Sequence, residues 1–132
     1  MKKHILCIDD DPQVLMTLRL VLEHEDFQVT TASGGRQGLE AIRKLKPDLV
    51  LLDLMMPDMD GWEVYQQVKI DDALKPIPIV IFTAKGGTID RSIGLQVAKV
   101  DAYLTKPLSP QVLIRTVRQI LDAKADKTTG SG

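Results

Sequence analysis

A doubly wound α/β fold, with five parallel strands in the order 2-1-3-4-5 and helices on both faces, is the architecture this sequence predicts. Three observations lead to it. Short apolar runs recur five times along 132 residues. Segments of helical spacing separate them. The runs LVLL and IPIVIF are continuous rather than alternating, as strands covered on both faces require. Alternation of strand and helix implies right-handed crossovers, hence a parallel sheet between two helical layers.

The elements follow in order. HILCID at 4 to 9 is the first strand. Asp11 and Pro12 open a helix, one as N-cap and the other at the first helical position, ahead of the stripe Val14, Leu15, Leu18, Val21 and Leu22. FQVTT at 27 to 31 alternates with polar residues and reads as an edge strand. Leu39, Ile42 and Leu45 mark a second helix, DLVLLD at 48 to 53 a central strand, and Val64, Tyr65 and Val68 a third helix. PIVIFT at 78 to 83 is again central. The fourth helix, about Ile89 to Ala98, is the weakest, because Ile89, Ile93, Leu95 and Val97 share no single face. AYLTK at 102 to 106 is the fifth strand, and Ser109 and Pro110 start a last helix with Leu113, Val117, Ile120 and Leu121 inward. Beyond it, DAKADKTTGSG holds no apolar residue larger than Ala. One domain over residues 1–122 is therefore expected, with 123–132 as a flexible tail or linker.

Composition narrows the function classes. With 17 Lys+Arg against 18 Asp+Glu the net charge is -1, so no basic excess exists to hold nucleic acid or an acidic membrane by counterion release. A single cysteine, Cys7, excludes an internal disulfide and leaves zinc without a second thiol. It is expected to be a buried small hydrophobe on a central strand. The apolar stretch near the start, Ile5 to Ile8, is too short for a signal peptide, and no run approaches the ~20 residues that cross a bilayer. A cytoplasmic protein is expected.

In a sheet of this order, ligands bind beyond the carboxyl ends of the strands, at the first and third. The polar residues there are Asp9, Asp10 and Asp11 after the first strand, Asp53 after the third, Thr83 after the fourth and Lys106 after the fifth. Several acids on one rim repel and raise one another's pKa unless cations offset them. Lys106 supplies one positive charge. Oxygen ligands without His or Cys favour Mg²⁺ for the rest. A carboxylate, a hydroxyl, a lysine and Mg²⁺ suit phosphoryl transfer, with Asp53 as nucleophile and Thr83 and Lys106 neutralising the phosphoryl oxygens. Taken singly, Thr83 is an ordinary strand end and Lys106 a solvated lysine before a proline. Convergence at one rim is what lifts them. Asp11 is expected to act only as a helix cap, and Asp58 and Asp60 as turn residues ahead of Gly61. His4 and His24 are expected at the surface, and Trp62 packed on the third helix.

The stretches CIDDDP at 7 to 12, LLDLMMPDMDG at 51 to 61, FTA at 82 to 84 and YLTKP at 103 to 107, in that order, resemble the response-regulator receiver domain of two-component signalling, over about residues 3 to 122. The resemblance implies a flavodoxin-like (βα)5 fold. It also implies that Asp53 is the phosphoacceptor, Asp10 a direct Mg²⁺ ligand, Asp9 an acidic partner acting through metal-bound water and the Met55 carbonyl a further ligand. Thr83 is then the switch hydroxyl, Tyr103 the switch aromatic and Lys106 the phosphate-binding lysine, with a cis bond to Pro107.

By the same resemblance, a phosphoryl group on Asp53 draws Thr83 inward and frees space for Tyr103, changing the surface of the fourth helix, fifth strand and last helix. The implied partners are a sensor histidine kinase or phosphotransfer protein, and a downstream effector protein or an output domain. Neither direct nucleic-acid contact nor membrane contact is expected. The chain is expected to be a monomer or a phosphorylation-dependent dimer, and not an enzyme beyond its own phosphorylation and dephosphorylation. Departures from the family pattern are Lys99 in AKVD, Leu108 after Pro107, Asp101-Ala102 before the switch aromatic, and Val112 to Thr116 in the last helix. The last two remove most charge partners of the dimer that drives winged-helix output domains. Two rival readings are a Mg²⁺-dependent phosphohydrolase, similar to haloacid-dehalogenase-type phosphatases through Asp9-x-Asp11, and a pseudo-receiver that binds partners without phosphorylation.

Overall fold

The five apolar runs become strands, and the first, second, third and last apolar stripes become helices, in the computed structural model, which describes residues 2–84, 102–107 and 109–130. The strands are β1 (His4–Ile8), β2 (Gln28–Ala32), β3 (Leu49–Asp53), β4 (Ile79–Ala84) and β5 (Ala102–Lys106). The helices are α1 (Pro12–His24), α2 (Gly35–Leu45), α3 (Gly61–Lys69) and the C-terminal helix (Pro110–Gly130). The helix expected at 89 to 98, together with Lys85, Lys99, Asp101 and Leu108, lies outside the described residues.

All strand pairs are parallel, in the order β2-β1-β3-β4-β5. β2 is an edge strand as its polar alternation predicts, while β1, β3 and β4 are central and buried over nearly their whole length. Successive strand residues point to opposite faces, so the sheet divides the interior. Leu6, Ile8, Val50, Leu52, Ile79 and Ile81 meet α2 and α3 on one side. Ile5, Cys7, Leu49, Leu51, Val80 and Phe82 meet α1 and the C-terminal helix on the other.

Local chemistry sets the helix ends. Asp11 accepts the Gln13 N–H at 2.9 Å, satisfying an amide that α1 leaves unpaired, and Pro12 follows where no N–H is needed. Ser109 Oγ accepts the Val112 N–H at 3.4 Å at the start of the C-terminal helix. That helix runs to Gly130, past the point where a flexible tail from residue 123 was expected. Ala123, Lys124, Ala125 and Lys127 are strong helix formers, and they extend a helix already nucleated by its packed turns.

Cys7 is fully buried between β2 and β3, and burial pushes its thiol up to about 12. His4, expected at the surface, is half-buried with Nε2 at 2.7 Å from Thr30 Oγ1 on the neighbouring strand. Leu74 and Ile77, in the connection from α3 to β4, belong to the core although no periodicity marks them. Trp62 is buried on α3, edge-on to Tyr65. The Lys106–Pro107 peptide bond is cis.

Candidate functional site

Strand ends bring the polar residues together. Asp9 follows β1, Asp53 ends β3 and Lys106 ends β5, so residues 97 positions apart meet: Lys106 Nζ lies 2.8 Å from Asp9 Oδ2 and 3.7 Å from Asp53 Oδ2. The other Asp9 oxygen accepts the Asp11 N–H at 2.9 Å. That bond belongs to the turn entering α1, so the first helix sets the orientation of the acid. Asp53 Oδ1 accepts the Met55 N–H at 3.3 Å. Lys106 also stands over the Phe82 ring, 5.0 Å from its centroid. This cation–π contact holds the ammonium in place, and nothing in the sequence pattern announced it.

Asp9, Asp53 and Thr83 are the buried polar side chains among the described residues. Thr83 follows Phe82 on β4 and points to the opposite face, the face on which Tyr103 packs. Lys106 and Phe82 lie on the α1 side. The rim is therefore divided: lysine, Asp9 and Asp53 toward one face, hydroxyl and aromatic toward the other.

Asp9, Asp10 and Asp53 each offer a carboxylate oxygen within 4.8 Å of the other two, with Asp10 exposed at the mouth. One ammonium faces three carboxylates. Burial and the Asp9 charge push the Asp53 carboxyl from 3.8 up to about 6, with Lys106 and the Met55 N–H pulling the other way and Asp10 adding to the rise. Hard oxygen donors at this spacing, in charge excess and without His or Cys, fit a divalent cation of the Mg²⁺ type. Met55 is 63% exposed and meets Asp53 through its backbone N–H.

The raised Asp53 pKa has a stability consequence. The folded state holds a proton on Asp53 more tightly than the unfolded chain, so ionised Asp53 opposes folding above about pH 6, and the penalty disappears as pH falls toward 4. Without added metal, Asp53→Asn is expected to stabilise the protein by about 1–2 kcal/mol near neutral pH, discounted for solvent at the crevice mouth. Urea unfolding at a series of pH values checks this. A gain that persists unchanged at about pH 4 contradicts the assigned cause.

Of the other sequence expectations, Asp11 caps α1 and Asp60 caps α3, accepting the Trp62 N–H at 2.8 Å. Asp58 does more than set a turn. Its two oxygens reach the start of α2, accepting the Gly35 and Arg36 N–H groups, each at 3.1 Å. No local signal shows a contact spanning 23 positions. Gly61 is required for close approach, since a Cβ there would lie 2.3 Å from the Asp53 carbonyl oxygen.

A family model described as response regulator receiver domain matches residues 5–118. The DNA-binding response regulator MtrA of Mycolicibacterium smegmatis is 41% identical over 127 residues, which cover 96% of this chain and 54% of that protein. The alkaline phosphatase synthesis transcriptional regulatory protein PhoP of Bacillus subtilis is 38% identical over 121 residues, 92% of this chain and 49% of that one. The chain thus spans about half the length of the curated relatives it matches. Among solved structures, a CheY-like receiver domain protein from Methanospirillum hungatei superposes with a TM-score of 0.87 at 26% identity, covering 96% of this chain and 99% of that one. Chemotaxis protein CheY4 of Vibrio cholerae does so at 0.81 and 26%, covering 91% and 99%.

Proposed function

Because the chain belongs to the response regulator receiver domain family, a phosphorylation-activated signalling switch, we propose that Asp53 is its phosphoacceptor. The observation that carries this is the position of Asp53: a buried carboxylate closing β3, 3.7 Å from a lysine ammonium and within 4.8 Å of two further acids. An Asp53 oxygen attacks the phosphorus of the donor in line. The bond from phosphorus to the leaving group breaks, the leaving group takes its electron pair, and an acyl phosphate remains on Asp53. Lys106, already directed at Asp53 and braced on Phe82, offsets charge on the phosphoryl oxygens. Asp9, Asp10, Asp53 and the Met55 carbonyl would hold Mg²⁺, which supplies further neutralisation of that charge.

Thr83 and Tyr103 are the proposed switch pair. They share a face of the sheet on adjacent strands, so displacement of the hydroxyl toward a phosphoryl group alters the space beside the ring. The phosphoryl donor is a sensor histidine kinase or a phosphotransfer protein. It approaches beside α1, where Met16 and Leu20 are exposed and a groove of about 620 Å³ opens next to Lys106. The output is a DNA-binding domain, by analogy with the longer DNA-binding response regulator MtrA, or a separate effector protein. Catalysis is confined to the chain's own phosphorylation and dephosphorylation. The phosphohydrolase reading loses support because Asp11, its second acid, is engaged as the cap of α1. No helix among the described residues is long and apolar enough to cross a membrane.

Incubation with Mg²⁺ and a small acyl phosphate is expected to add one phosphoryl group to the wild-type protein, read by intact mass, and none to Asp53→Asn. An adduct retained by Asp53→Asn places the acceptor elsewhere and overturns the assignment.

A further inference from the structure

We propose that Asp58 is a positioning residue for the site, clasping the loop between β3 and α3 to the start of α2 and so fixing where Met55 and Asp53 stand. The proposal rests on the reading of Asp53 and its neighbours as a phosphoryl and metal site, and adds a residue outside that set.

The geometry is two-sided. Asp58 Oδ1 and Oδ2 accept the N–H groups of Gly35 and Arg36 at 3.1 Å each. These backbone donors, Arg36 first, hold the carboxyl below its ordinary range. From the other side, the β2–α2 turn is shaped to receive the loop. Gly34 has φ +120, and a Cβ on it would meet both Asp58 oxygens at 3.1 Å. A Cβ on Gly35 would meet Met59 Cβ and O at 2.7 Å. Two consecutive glycines thus allow the loop backbone and its carboxylate to lie against the helix start.

Helix α2 could have been capped locally. Ser, Asp or Asn at the N-cap would satisfy a first-turn amide. The residue there is Gly34, with no side chain to do so, and the missing acceptor comes from the loop that carries the site. Capping α2 and placing the loop are consequently one interaction. The loop has other anchors, among them the Met55 N–H bond to Asp53 Oδ1 at 3.3 Å and Met59, half-buried against the core. Leu54 and Met56 are buried, the Gly61 N–H bonds to the Leu54 carbonyl at 3.1 Å and Asp60 caps α3. Asp58 adds to these the tie from the outer limb to α2, three positions beyond Met55 and separated from it by Met56 and the stiff Pro57. Loss of the clasp lets that limb move, and the ligand set of Asp53 and the Met55 carbonyl loses its fixed spacing.

The test compares wild type, Asp58→Ala, Asp58→Asn and Gly35→Ala by Mg²⁺ titration, read by Trp62 fluorescence at a temperature where each is folded. Melting temperature and acyl phosphate labelling are measured alongside. Trp62 is the single tryptophan and shares a core cluster with Met56 of the loop. Asp58→Ala is expected to raise the Mg²⁺ dissociation constant about tenfold. Asp58→Asn, which keeps one acceptor oxygen, should raise it about threefold, and Gly35→Ala should resemble Asp58→Ala although Asp58 is intact. A lowered melting temperature with Mg²⁺ affinity within about twofold of wild type in all three marks an ordinary helix cap and overturns the proposal. If Asp58→Ala does not fold, Asp58→Asn and Gly35→Ala decide by the same criterion. A wild type that neither responds to Mg²⁺ nor captures a phosphoryl group overturns the reading of the site itself, a failure visible before any variant is made.

Discussion

Lys106→Met is expected to destabilise the metal-free protein by about 3 kcal/mol near pH 7.5, the lower end of the range for removing one partner of a buried ion pair. Methionine keeps an unbranched apolar stem beside Phe82, so the loss isolates the charge. Asp9, with its side chain 1% exposed, is left without the ammonium at 2.8 Å, and Asp53, 3% exposed, without the one at 3.7 Å. The Asp53 carboxyl, already pushed up to about 6, loses the charge that pulled it down and binds its proton more tightly still in the folded state. The deficit from Asp53 therefore grows as pH rises through about 6 and is lost below it, where the folded wild type already carries a proton on Asp53. Mg²⁺ should return part of the stability, because it supplies the missing positive charge. Acyl phosphate labelling should slow by on the order of a hundredfold, since a charge that stabilises the transferring group is gone. Thermal melts with and without Mg²⁺ at two pH values check the first part, and timed intact-mass measurements the second. A pH-independent loss of stability would show that packing rather than charge is what Lys106 provides.

Gly61→Ala should cost about 3 kcal/mol or more. The added methyl meets the Asp53 carbonyl oxygen at 2.3 Å, the Leu54 Cα at 2.7 Å and the Asp53 carbonyl carbon at 3.0 Å. All three are backbone atoms at the end of a central strand, so no rotamer change relieves the contact. The start of α3 must retreat from β3, which strains the Asp60 cap and the Gly61 N–H bond to Leu54 as well. Backbone conformation is not the issue, because Gly61 is not among the positive-φ residues. Urea unfolding measures the cost, and Mg²⁺ affinity should fall together with it. A melting temperature within a few degrees of wild type would mean that α3 shifts freely at its first turn.

Much of this was legible in the residues because the strongest signals are local. Continuous runs such as LVLL and IVIF cannot be half-exposed strands, and the polar alternation of β2 placed it at an edge, which leaves few strand orders. Once the order is set, Asp9, Asp53 and Lys106 meet by topology alone, with Thr83 at the end of the strand between them but turned to the other face. What escaped was non-local or lacked a pattern. The Asp58 clasp joins segments whose sequences each look like ordinary turns. The Lys106–Phe82 contact depends on which face of β4 the ring takes. Leu74 and Ile77 lie in a connection with no helical or strand period, and their burial follows only from what they pack under. The extension of the last helix follows residues of high helical propensity with no large apolar side chain, to which an argument from apolar faces is blind.

The placement of Cys7 gives the protein a built-in reporter. Its thiol is pushed up to about 12 and sits on β1 with a strand on either side, so a thiol-directed reagent meets no reactive sulfur while the sheet is intact. The central strand opens only when the whole sheet does. Alkylation of the native chain thus clocks global unfolding under conditions that favour the fold. For the same reason, a cysteine introduced on the surface would be labelled alone, without first deleting the natural one.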